Sequence, residues 1–200
     1  MGLAWWLLGG RVTDVVPWWL AFLVFTIAGE RLELSRYLPP SRGGAWLFRA
    51  IAVAALVSLL AWTAGSAAAM RGFGIALLAL AAWLVRYDIA RRTVRQQGLT
   101  RYIACCLLSG YAWLALAGVL LAANGWAPGS AVHDLALHAL TLGFVFAMVF
   151  GHAPIIVPAV RRVVVRWGPR FYAPLLLLHL SLLLRAAGAA GDVFEWRHVS

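Results

Sequence analysis

The stretch that decides the fold is His138-Ala139-Leu140-Thr141-Leu142-Gly143-Phe144-Val145-Phe146-Ala147-Met148-Val149-Phe150-Gly151-His152-Ala153-Pro154. It is continuously apolar apart from a histidine at each end and one threonine. A run of this kind reads as a membrane helix rather than a strand of a barrel, whose residues would alternate in polarity. An ionisable group inside such a helix is costly and marks a place to look for function.

The rest of the chain has the same character. It has 200 residues, is 64% hydrophobic and only 12% charged, far from the balance of a water-soluble domain. At about 20 apolar residues per span, the length accommodates about six spans with short connections. The patterning predicts an all-α polytopic bundle with spans near 15–36, 46–70, 73–92, 102–123, 135–159 and 171–187, forming one transmembrane domain. Residues 1–14 form a tryptophan-rich lead-in suited to the membrane interface. Leu38-Pro39-Pro40-Ser41-Arg42-Gly43-Gly44 is a breaker loop, Arg71-Gly72 a tight turn, and Asp192 to Ser200 a short polar tail. Pro154 and Pro158 are expected to bend the end of span five. No basic leader precedes the first apolar residues, so a cleavable signal is not expected.

The net charge of +10 arises from 17 arginines and no lysine. They cluster between apolar runs, as topology signals do, so nucleic acid is not the expected partner; lipid head groups are. Arg36, Arg42 and Arg49 follow span one; Arg86, Arg91, Arg92, Arg95 and Arg101 follow span three; Arg161, Arg162, Arg166 and Arg170 follow span five. Arg11, Arg71, Arg185 and Arg197 fall on the other side, with Arg31 inside span one. The asymmetry predicts both termini outside the cytoplasm. Such an arginine-only composition, rich in alanine and glycine, suggests a GC-rich bacterial genome and hence the bacterial inner membrane. Cys105 and Cys106 are adjacent, a spacing that rarely permits a mutual disulfide, and read as small apolar packing residues.

Three histidines are the candidate functional groups. His138 and His152 lie on about the same helix face but about 21 Å apart along it, too far to share an ion. Folding the chain symmetrically about residues 165 and 166 places His152 and His179 at matched depth, with His138 near the opposite surface beside His133 and Asp134. Imidazole is a common ligand of copper and haem iron, so His152 and His179, with His138, are candidate ligands. The competing reading is that the histidines hydrogen-bond across helices as packing glue, or relay protons. Glu30, Arg31 and Glu33 form a charged group at the end of span one, either an interfacial helix end or a buried support for the histidines. Arg185 in span six either snorkels to the surface or contacts an anion such as a haem propionate.

His138-Ala139-Leu140-Thr141 followed by Gly143 resembles the NnrS family of bacterial haem- and copper-containing membrane proteins linked to nitric oxide metabolism. The resemblance covers mainly span five, carries over only His138 as a ligand, and departs after Gly143. The family is about twice this length. It implies haem or copper binding and a role in nitric oxide or respiratory stress. The alternative expectation is a non-enzymatic membrane subunit or transporter-like protein, associated with itself or with a partner subunit. No nucleophile–base motif or phosphate loop points to an enzyme.

Overall fold

The structure, a computed structural model, describes residues 12–34, 42–162 and 166–199, with backbone only at 34, 42 and 192–199. Among these residues there are helices and no strands. Six are long and apolar enough to cross a membrane, consistent with a multi-pass membrane protein. Helix α1 spans Val12–Leu34, α2 Arg42–Thr63 and α3 Ala69–Tyr87. After the single turn α4, Ala90–Thr93, comes α5, Gly98–Asn124. The next helix has three parts. These are α6 Ala131–His138, a π-helical segment Ala139–Phe146, and α7 Ala147–Arg161. A 3-10 turn, Pro169–Phe171, leads into α8, Tyr172–Val199.

Local chemistry explains the boundaries. Asp14 sits in the first turn of α1 and Arg31 in its last, each complementing the helix dipole. Pro17 lies inside α1, and the Thr13 carbonyl, which loses its i+4 donor there, accepts from the Trp126 indole N–H at 3.1 Å. Gly65, at φ +92°, ends α2: its N–H donates to the Trp62 carbonyl and that of Ser66 to Ala61. Gly125, at φ +70°, ends α5 in the same way, donating to Leu121. The Ser130 hydroxyl accepts from the His133 N–H at 3.1 Å and caps α6.

Several boundaries differ from the sequence expectation. The turn between spans two and three lies at 64–68, with Arg71 and Gly72 already inside α3, because Gly65 supplies the left-handed residue that Arg71 does not. Arg42, Gly43 and Gly44, expected in a loop, open α2. Span three stops at Tyr87, since Asp88 is extended (ψ 148°). Helix α8 continues through the expected polar tail to Val199. Both Pro154 and Pro158 lie inside α7 without ending it. The expected lead-in before Val12, and residues 35–41 of the breaker loop, lie outside the described residues.

Helix α5 is the centre of the bundle, touching α3, α4, α6, the π segment and α7. Glycine sets the closest crossing. A Cβ on Gly74 of α3 would meet the Gly118 carbonyl oxygen at 2.8 Å, and one on Gly118 would meet the Leu78 nitrogen at 2.8 Å. Two backbones therefore touch where neither residue has a side chain, the usual device of helices packing in lipid. Met70, Phe73, Leu77, Leu80 and Leu84 of α3 and Tyr111, Leu114 and Leu121 of α5 fill the interior. The outer faces of α2 and α8 expose large apolar side chains, among them Val53, Leu56, Val57, Leu176, Leu177 and Leu184. Water would penalise such faces; lipid tails do not.

Candidate functional site

Helix register fixes which polar groups meet. A Cβ on Gly143 would lie 2.5 Å from Trp113 and one on Gly151 would lie 3.1 Å from the Cys106 Cβ. Thus α5 runs antiparallel to the α6–α7 helix, with Trp113 opposite Gly143 and Cys106 opposite Gly151. The Trp113 indole N–H donates to Nδ1 of His179 at 2.9 Å, and the two rings lie nearly parallel, 19° apart. His179 is therefore held near the level of Gly143. His152 lies nine residues further along, about 13 Å at 1.5 Å per residue.

This register corrects the expected pairing of His152 with His179 at one depth. The symmetric fold about residues 165 and 166 does not hold, because the connection is not a simple hairpin. Trp167, Phe171 and Tyr172 pack around Tyr102 of α5, with ring centroids 5.3, 6.0 and 5.2 Å away. That aromatic cluster seats the start of α8 on α5 rather than opposite the end of α7. At the other end Arg185 of α8 is bonded to Asp134 of α6.

His152 has Arg31 as its partner. Nη2 of Arg31 donates to Nε2 of His152, tying α1 to α7 across the bundle. Nδ1 of His152 lies 2.5 Å from the Met148 carbonyl. A carbonyl only accepts, so Nδ1 carries the proton and Nε2 presents a lone pair to the guanidinium. Arg31 is 7% exposed and its Nε is buried with no hydrogen-bond partner. Tyr111, fully buried, donates to Oδ2 of Asp88 at 2.8 Å. Oδ1 of Asp88 accepts the Ala90 N–H at 2.7 Å. Two polar pairs thus lie inside the bundle, Arg31–His152 joining α1 to α7 and Tyr111–Asp88 joining α5 to the residue that follows α3.

Glu30 and Glu33, expected either at an interfacial helix end or as a buried support for the histidines, are exposed; one residue of helical rotation sends Arg31 inward and its neighbours out. Arg185, expected either to snorkel to the surface or to contact an anion, is exposed and pairs with the Asp134 carboxylate. His138 Nδ1 lies 2.8 Å from the Asp134 carbonyl and 3.3 Å from its carboxylate. The His133 and Trp126 rings lie perpendicular, with centroids 4.2 Å apart. Cys105 and Cys106 are free thiols.

The donor set decides what this site can bind. A ligating imidazole commonly donates one N–H to a carbonyl and offers the other nitrogen to the metal. His152 has that arrangement, but the place of the metal is taken by the Arg31 guanidinium. In His179 the nitrogen that accepts from Trp113 is Nδ1, so the neutral ring carries its proton on Nε2, which is buried with no partner. That tautomer offers no lone pair at the remaining nitrogen. Among the described residues no three His, Cys, Asp or Glu side chains gather as metal ligands. The residues present do not fit a shared copper or haem site at His152 and His179.

Comparison with known families decides membership. The chain matches the family described as Domain of unknown function (DUF8744) over residues 1–200. It belongs to the DUF8744 family. No curated protein and no solved structure matches this DUF8744 chain, and the resemblance to NnrS gains no support from the comparisons.

Proposed function

We propose that this DUF8744 protein is a multi-pass protein of the bacterial inner membrane, with both termini outside the cytoplasm. It is non-enzymatic and transporter-like, with Arg31 and His152 as its working pair. One observation carries the reading: a buried arginine occupies the imidazole nitrogen that a cofactor would need. A cation held on a titratable ring inside an apolar bundle is costly, and cost of this kind is characteristic of ion and proton pathways in membrane proteins. His152 accepts from Arg31 and donates to Met148, so the ring can gain a proton at Nε2 only when Arg31 moves away. That exclusion makes the pair a proton relay with two states, Arg31 docked on a neutral ring or withdrawn from a protonated one. Tyr111 and Asp88 add a second polar pair inside the bundle, whose arginine-rich end the excess of arginine orients to the cytoplasm.

The test is proton flux in liposomes containing an interior pH dye, under an imposed potential. The expected result is flux in the native protein that is lost in His152→Ala and altered in Arg31→Gln. Proteoliposomes no leakier than empty ones would overturn the reading. So would a Soret band or stoichiometric copper in the gently purified protein that disappears in His152→Ala, which would restore the haem or copper alternative.

A further inference from the structure

The residues after α3 build a second feature, separate from the histidines. Arg86, Arg91, Arg92 and Arg95 line a cavity of ≈ 460 Å³ with Asp88. All four arginines are exposed, and among the described residues none has an ion-pair partner. Arg86 stays beside the Tyr87 ring at 5.4 Å. The wall carries one acid against these four arginines: Asp88, whose oxygens accept from the Tyr111 hydroxyl and from the Ala90 N–H. Those two bonds also explain why the cavity exists. The core hydroxyl of Tyr111 holds Asp88, Asp88 breaks α3 and starts α4, and that single turn presents Arg91 and Arg92 on the side already occupied by Arg86.

We propose that this cavity binds a phosphate group at the end of the bundle. The guanidinium fork matches a tetrahedral oxyanion and pairs with it through two parallel bonds. Four of them around one recess, outnumbering its single carboxylate, select a phosphate over a neutral ligand. The recess lies at the end of a span, at head-group level, so an anionic phospholipid and a free phosphate both present the chemistry it recognises.

The test uses the full chain purified in a neutral detergent, with two probes titrated separately: phosphatidylglycerol, with phosphatidylcholine as its neutral control, and inorganic phosphate. Binding is read by the thermal midpoint and by native mass spectrometry. Saturable binding of either probe is expected, weakened about tenfold or more in Arg91→Gln/Arg92→Gln. It should be kept in Arg161→Gln/Arg170→Gln, which removes equal charge elsewhere at the same end. Should the first variant fail to fold, Arg86→Gln/Arg95→Gln carries the same expectation. Saturation by the lipid alone assigns a head group as the source, and saturation by inorganic phosphate alone assigns a soluble ligand. Binding of neither probe, or equal loss in the two charge-matched variants, would overturn the proposal.

Discussion

Arg31 donates to Nε2 of His152 across 121 residues of sequence. The two residues join the end of α1 to α7, and each becomes a liability without the other. Removing His152 strands a guanidinium in the interior, whereas removing Arg31 strands only a neutral lone pair. His152→Ala is therefore expected to destabilise the protein more than Arg31→Met, which replaces the charge with an apolar side chain of similar reach. In a double-mutant cycle read by SDS unfolding, the coupling is expected near the upper end for membrane hydrogen bonds, about 1–2 kcal/mol. Equal single-variant effects with no coupling would contradict this bond.

The Trp113–His179 bond predicts a different pattern. Trp113→Phe keeps most of the ring but removes the N–H, leaving both His179 nitrogens without a partner; a loss of about 1 kcal/mol is expected. Adding His179→Phe to that variant removes the orphaned polar atoms and should recover stability. A double variant less stable than Trp113→Phe alone would argue against the bond.

Backbone contact between α3 and α5 makes Gly74 and Gly118 the most sensitive small positions. Gly74→Ala and Gly118→Ala each force two helices apart and are expected to cost about 1–3 kcal/mol, the range for overpacking. Gly29→Ala, with nothing within 4 Å of the added methyl, is the internal control and should leave the thermal midpoint unchanged or raised.

Tyr111→Phe removes the donor that holds Asp88 and leaves one buried carboxylate oxygen unpaired. The expected loss is about 1–3 kcal/mol. Amide exchange should rise over Ala90–Thr93, because Asp88 is also the acceptor that starts that turn. Unchanged protection there would show that α4 is held by other contacts.

The Asp134–Arg185 pair is exposed, so screening and side-chain entropy take back most of its Coulomb energy. Asp134→Asn is expected to change stability by less than about 1 kcal/mol. A thermal scan of the variant at low and high salt checks this: the small difference from the native chain should shrink as salt rises.

Much of the architecture was legible in residue order. Continuous apolar runs give six helices because a backbone in lipid has to satisfy its own hydrogen bonds, and arginine clusters mark the ends because guanidinium groups stay at the water interface. Arg31 stood out as an arginine inside span one, away from the clusters between spans. Its orientation was not legible: Glu30, Arg31 and Glu33 share a helix end, and a hydrophobic environment on either side leaves no period to say which faces inward. Asp88 was visible as a charge among arginines, but its burial against Tyr111 depends on α5, twenty-three residues further on.

The sequence by itself determined that this chain forms apolar helices with arginine at alternate ends, since length, hydropathy and charge act locally. Tertiary structure alone decided the partners of the histidines. Depth along a helix follows from counting residues only when the connection is symmetric, and here the stacking of Trp167, Phe171 and Tyr172 on Tyr102 sets where α8 begins. That one cluster places His179 beside Trp113 and leaves His152 to Arg31.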